Sequence, residues 1–386
     1  MSQGRLREFV QSFGPAWIVM IADVDAPSIL TAATVGATYS YGLVWFFLVL
    51  IIPLFFIQEA SGRVGMATGK GLGEVIRENF SRRIAVLASI PMVIVSVVSY
   101  VAEYAGIAVG MELIGVPPFV SVPVAYIAYV GVVLRRKYTT TERALLAVSA
   151  VLIISYTGSL FARGLVSSSI IYLSAEPKYL FLLAACAGAV VMPFMLFYQA
   201  SATAEKGIAH LWAMRAETLV GAVASEIGMI VVAMATSGLS SSLDLTDPKT
   251  LSLALSSIAG PYAPSIFAVG LVAAAFIALV VISLGASWAI VDTMGWEKGS
   301  FFWVYVLESL PAVAIPILYP EPLPLVLGLM VAFVFVLIGP GVLMGLLSAD
   351  HRIMGEHVSS EYWKSAYWAS LAAVLCFGFV AVLSSL

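Results

Sequence analysis

Residues 14–28 read Gly14-Pro15-Ala16-Trp17-Ile18-Val19-Met20-Ile21-Ala22-Asp23-Val24-Asp25-Ala26-Pro27-Ser28. An apolar stretch suited to a bilayer here carries two aspartates and a proline at one depth. Pro27 cannot donate a backbone hydrogen bond, and its ring crowds the preceding turn. An ionised carboxylate in the middle of a bilayer is expensive. Free backbone is tolerated in a membrane only where protein buries it or it lines a wet cavity. The sequence therefore predicts an unwound first span, with Asp23 and Asp25 beside a cavity.

Moving outward, a helix needs about 20 mostly apolar residues to cross the hydrocarbon layer. Candidate spans are 14–36, 41–60, 84–112, 117–134, 142–162, 179–202, 218–237, 262–290, 300–319, 322–347 and 363–385. The sixth repeats the interruption, with Pro193 at mid-span in Ala187-Gly188-Ala189-Val190-Val191-Met192-Pro193-Phe194. Spans one and six stand five apart. Five is odd, so two five-helix units run in opposite directions, as in inverted-repeat transporters with a midplane site between discontinuous helices. The expected domain is single (1–386), with repeats at about 14–162 and 179–347 and an extra helix at about 363–385.

The basic residues test this count. With the N-terminus inside, the cytoplasmic segments hold Arg5, Arg7, Arg63, Lys70, Arg77, Arg82, Arg83, Arg135, Arg136, Lys137, Arg143, Lys206, Arg215, Lys298, Arg352 and Lys364. The outer segments hold Arg163, Lys178 and Lys249. A positive-inside bias of this size predicts a multi-pass protein of the cell membrane, N-terminus cytoplasmic and C-terminus outside. Composition agrees. Of 386 residues 61% are hydrophobic and 11% charged, and a soluble surface needs more polar cover than that. No basic block invites nucleic acid. Cys186 and Cys376 fall in apolar segments, as small buried hydrophobes do. No His-based triad, zinc-ligand spacing or phosphate loop appears, so the chain does not read as an enzyme and implies no resident cofactor.

At these residues the sequence resembles the natural resistance-associated macrophage protein (NRAMP) family of divalent-metal transporters. Gly14-Pro15, Ile21-Ala22 and Asp25 match the family's first span, whose Asp-Pro-Gly-Asn tetrad is here Asp25-Ala26-Pro27-Ser28. Tyr41-Gly42-Leu43-Val44-Trp45 and Ala67-Thr68-Gly69-Lys70 resemble the flanks of its second span. Gly188 to Pro193 resembles its Met-Pro-His helix break, and Ser348 to Gly355 its loop before the last helix. The resemblance implies an all-α polytopic membrane protein of the 5+5 inverted-repeat (amino-acid-transporter, LeuT-like) fold plus an eleventh helix. It also implies a metal held by the Asp25 carboxylate, Ser28, the Ala189 carbonyl and the Met192 sulfur. Oxygen donors joined by a thioether favour Mn- or Fe-type ions over Mg or Ca. Ser28, in place of the family's Asn, offers a shorter and weaker oxygen.

The departures bear on coupling. Phe194 and Gln199 stand at the family's two sixth-span histidines, and Tyr100-Val101-Ala102-Glu103 at its Asp-Leu-Ala-Glu. His210, His351 and His357 all fall in expected loops, so no imidazole remains in the membrane to titrate near neutral pH. Weak or absent proton coupling is expected. Related branches with similar losses carry other ions, magnesium included, so the ion stays open between Mn/Fe-type and Mg. Asp23 is the further carboxylate beside the site, and Tyr100, Glu103 and Glu226 are candidate pathway groups. Glu308 is expected to be structural or interfacial, and Glu59, Glu112 and Asp292 to be solvated at span ends. Two other readings remain: a carrier of an organic solute or anion on this scaffold, and a non-transporting membrane receptor or subunit. Oligomeric state is not legible.

Overall fold

The protein is described by a computed structural model over residues 3–134, 137–243, 245, 247–318 and 323–385, with side chains at all of these except 3–7, 323–327, 381, 382, 384 and 385. The expected loop residues Arg135 and Arg136, the side chains of Arg5 and Arg7, and the junction of the ninth and tenth expected spans at 319–322 lie outside the described residues.

All eleven expected spans correspond to helices. Among the described residues nine are long and apolar enough to cross a membrane, a bent pair makes a tenth, and Pro118–Val133 is a shorter apolar helix. The nine are Val44–Thr68, Arg82–Glu112, Tyr138–Arg163, Pro177–Lys206, Leu211–Ala235, Ala263–Met294, Lys298–Leu318, Gly328–Ala349 and Glu361–Val380, and the pair is Pro15–Ala22 with Ala26–Tyr39. Local chemistry sets their ends. Ser81 accepts a hydrogen bond from Ile84 N and starts the third span, as N-cap hydroxyls do. Gly69, Gly207 and Gly295 close three helices in the left-handed conformation, which costs glycine no Cβ clash. The outer faces carry bare apolar groups such as Leu87, Ile94, Ile127, Ile154 and Phe161. An exterior of that kind belongs in lipid.

The eighth span packs along the third and fifth, the second along the seventh and sixth, and the last helix lies against the second and sixth. Three shorter helices were not expected from sequence: Gln3–Ser12, Leu72–Asn79 and Pro248–Ala259. Several expected ends move outward, and with them three charged groups. Arg63 is 2% exposed inside the second span rather than in a loop, and Arg215 lies inside the seventh. Glu59 is fully buried rather than solvated; Arg63 bonds both its oxygens at 2.9 and 3.1 Å, and Arg215 reaches Oε1 at 2.8 Å. Hydropathy alone cannot separate a buried ion pair near a helix end from a snorkelling charge. Glu112 is exposed and Asp292 half-buried, as expected of span ends.

Candidate functional site

Both marked spans are broken, for the same covalent reason. A helical carbonyl bonds the N–H four residues on. The partners of the Asp23 and Ala189 carbonyls are Pro27 and Pro193, which have none. In the first span the helix Pro15–Ala22 stops, Asp25 turns extended (φ −83°, ψ 175°), and the helix Ala26–Tyr39 leaves at 53°. In the sixth, Val191 and Met192 are extended (φ −132° and −86°, ψ 91° and 142°) between Pro177–Val190 and Pro193–Lys206. The halves cross: Ala26–Tyr39 packs on Pro177–Val190, and Pro15–Ala22 on Pro193–Lys206.

Asp25 is 1% exposed and caps the second half-helix, its Oδ1 accepting from Ser28 N at 2.7 Å. Glu103, from the third span, accepts from Ala26 N at 3.2 Å through Oε2 and places its carboxyl within hydrogen-bonding reach of Asp25. The Ser28 hydroxyl is fully buried beside the Asp25 carboxylate and has no other partner among the described residues. Across the break Ala189 and Met192 are buried. A carboxylate, a hydroxyl, a carbonyl without its helical donor and a thioether thus sit on crossing half-helices. Their chemistry fits a dehydrated divalent ion with one softer contact. Among the described residues no three His, Cys, Asp or Glu side chains are grouped to hold a metal. A site here draws on backbone, hydroxyl and sulfur as well.

The other candidates separate. Asp23 and Asp25 meet different neighbours. Asp23, still helical at the end of the first half-helix, faces the seventh span, where Oδ2 accepts from Ser225 Oγ at 2.8 Å and Glu226 lies within electrostatic reach. Tyr100, one turn from Glu103, faces Glu308 and Ser283. Glu308, taken from sequence as structural or interfacial, also accepts from Ser287 at 3.0 Å. Phe194 packs edge-on against Phe333, with ring centres 6.0 Å apart. Gln199 is fully buried beside Gly62, and its amide makes no hydrogen bond. All three histidines lie outside the long spans.

Sequence reading missed the anchor of the first half-helix. Glu217 accepts from Gly14 N at 2.6 Å and Trp17 N at 3.0 Å, binding two of the N–H groups a helix start leaves open. Beside it Lys206 pairs with Glu142 and bonds the Phe13 carbonyl. Gly14 has φ +152°, and a Cβ there would fall 1.5 Å from Glu142 Oε1, so any other residue would strain the backbone and displace that carboxylate. Glu217 lies at the edge of the expected seventh span, where polarity carries no signal of its own.

A cavity of about 400 Å³ opens at the end where the basic loops gather, with Lys70, Glu74, Lys137 and Lys298 among its lining. None of the candidate ligands lines it. Tyr138 and Trp288 do, and they hold Tyr198 of the sixth span by a 3.3 Å hydrogen bond and an edge-on ring contact. Aromatic side chains therefore stand at the inner wall of this vestibule.

Two crossed, proline-broken helices inside an all-helical apolar bundle define the class: a multi-pass membrane protein of the five-plus-five inverted-repeat fold with an eleventh helix. Solved structures agree on that fold. The manganese transporter of Eremococcus coleocola superposes with a TM-score of 0.83 at 15% identity, over 99% of this chain and 88% of that one. MhsT, solved with L-phenylalanine, gives 0.66 at 14% identity over 97% and 98%. The chain matches the natural resistance-associated macrophage protein-like family over residues 16–384 and belongs to it. Curated relatives include the divalent metal cation transporters MntH of Verminephrobacter eiseniae, 29% identical over 240 residues (58% of this chain, 54% of that protein), and of Bacillus subtilis, 29% over 211 residues (52% and 50%). The chain spans about half the length of the curated relatives it matches.

Proposed function

We propose that this protein carries a divalent metal ion across the membrane by alternating access, with the ion bound between the broken first and sixth spans. The observation that carries the reading is the buried Asp25 carboxylate on an extended residue, with the Ser28 hydroxyl beside it and, on the sixth span, Met192 and an Ala189 carbonyl without its helical donor. An ion entering this position exchanges water for these four donors. The residual negative charge of Asp25 and Glu103 offsets its desolvation. The Met192 thioether tilts selection to Mn- or Fe-type ions over Mg.

The membrane segments hold no imidazole among the described residues, so movement of the ion proceeds with little proton flux. The repeats run over about 14–162 and 179–347. The N-terminus and the vestibule lie on the cytoplasmic side, and the C-terminus lies on the other. Carboxylates at the break disfavour an anion as cargo. The test is reconstitution in liposomes with Mn²⁺, Mg²⁺ and Ca²⁺ supplied outside and a pH dye within. Saturable Mn²⁺ uptake with a flat dye signal is expected. Absence of uptake and of binding heat for every metal would overturn it.

A further inference from the structure

The first break holds a second acidic pair that the proposed ion position leaves unused. Asp23 is 2% exposed and Glu226 fully buried. They approach because the seventh span packs tightly on the first. A Cβ on Gly221 would meet Met20 at 2.8 Å, and one on Gly228 would meet Val24 at 3.4 Å. Between those two glycines, Ser225 donates to Asp23 Oδ2 at 2.8 Å. Both oxygens of Glu226, and Oδ1 of Asp23, receive no hydrogen bond. No lysine or arginine among the described residues pairs with either group. Cys186, from the sixth span, lies within electrostatic reach of Glu226.

Every other buried carboxylate among the described residues has at least one donor, although one oxygen each of Glu103, Glu217 and Glu308 is unbonded. Glu59 has two arginines, Glu217 two backbone N–H groups and Glu142 a lysine. Glu226 differs in having no donor on either oxygen, and it lies within electrostatic reach of Asp23, whose Oδ1 is also unbonded and whose Oδ2 a hydroxyl holds. Buried polar groups left without partners are costly, and native proteins keep few of them without a use. Two carboxylates match the charge of one divalent cation, and carboxylate and hydroxyl oxygens are hard donors that suit it.

We propose that Asp23, Glu226 and Ser225 form a second divalent-cation site, separate from the one at Asp25 and fed from the same break. Asp23 and Asp25 are two residues apart but face different helices, so the sites are adjacent and chemically distinct. The second lacks the thioether and tolerates Mg²⁺ better than the first.

The experiment uses the purified full chain in detergent, with Mn²⁺ as the probe. Wild type is expected to bind two Mn²⁺ per chain at saturation, measured by elemental analysis after rapid desalting and by calorimetry. Glu226→Gln, which keeps shape and removes charge, should bind one with the remaining affinity changed less than about threefold. Asp25→Asn should also bind one, and that ion should be lost in the double variant. The Asp25→Asn result separates this site from the transport reading, because one ion held there supports the second site even if no metal is carried. Wild-type chain loaded with two Mn²⁺ should also show dipolar broadening of its electron paramagnetic resonance spectrum, which depends on no variant folding. One Mn²⁺ per wild-type chain with an unbroadened spectrum, or unchanged stoichiometry in Glu226→Gln, would overturn the proposal and leave a pair that shares a proton.

Discussion

The two broken spans make a natural comparison. Both are interrupted because a proline withholds an N–H from the carbonyl four residues before it, Asp23 in one and Ala189 in the other. Yet the first break carries two carboxylates, bends by 53°, and has its N-terminal half tied to Glu217 at Gly14 and Trp17. The sixth carries none; Val191, Met192 and Phe194 surround it, and its first half starts at Pro177 with no side-chain cap. Breaking a helix and charging the break are therefore separate devices. The sixth span contributes backbone and a polarisable sulfur, and the first contributes charge.

The largest expected effect comes from removing that charge without disturbing the break. Asn caps a helix about as well as Asp, so Asp25→Asn should keep the turn to Ser28 N while removing the ionic ligand. Metal affinity should fall about 100-fold, the scale of a charge-assisted contact, and liposome uptake should drop to background. Little change in the melting temperature of the metal-free protein separates ligand loss from unfolding. Unchanged uptake would place the ion elsewhere.

Next in size is the anchor that the sixth span lacks. Glu217→Ala leaves the Gly14 and Trp17 N–H groups buried and unbonded, at roughly 1–3 kcal/mol each. Thermal unfolding of the variant should come several degrees earlier, and hydrogen exchange should quicken over 14–22. A variant as stable and as protected as wild type would mean the carboxylate does not hold this end.

Restoring an N–H at the second break is a milder change. In Pro193→Ala the new donor can bond the Ala189 carbonyl and close the helix. The gain of about 1 kcal/mol for that bond competes with the metal, so affinity should fall about fivefold while helix content rises slightly by circular dichroism. If affinity holds, the Ala189 carbonyl is not a ligand.

The smallest effect concerns selectivity. Met192→Leu keeps volume and removes sulfur, so Mn²⁺ or Co²⁺ binding should weaken two- to threefold with Mg²⁺ binding unchanged. Calorimetric competition between the metals reads that ratio directly. An equal loss for both would assign Met192 to packing alone.

Much of this was legible before any coordinates. Eleven apolar segments, two prolines five spans apart and aspartates at one of them follow from hydropathy and covalent chemistry, and each has its helix or break. The ends were less legible. Thr68 rather than residue 60 closes the second span, because the ion pairs of Glu59 and Arg63 let a charged turn stay helical and buried. The separation of Asp23 from Asp25 was also beyond the sequence. It poses the question of whether the chain unwinds between them but does not say which neighbour each then meets.

What the chain determined alone is local: where apolar length suffices to cross a bilayer, where a missing N–H breaks a helix, and which side-chain types stand at the breaks. The tertiary structure decided which groups share a pocket: Asp25 with Glu103, Asp23 with Ser225 and Glu226, Gly14 with Glu217. The reason is one of range. Helix breaking acts over four residues along the backbone, whereas the hydrogen bonds at these pairs span 77 to 203 residues, and only the packing of whole helices brings the groups together.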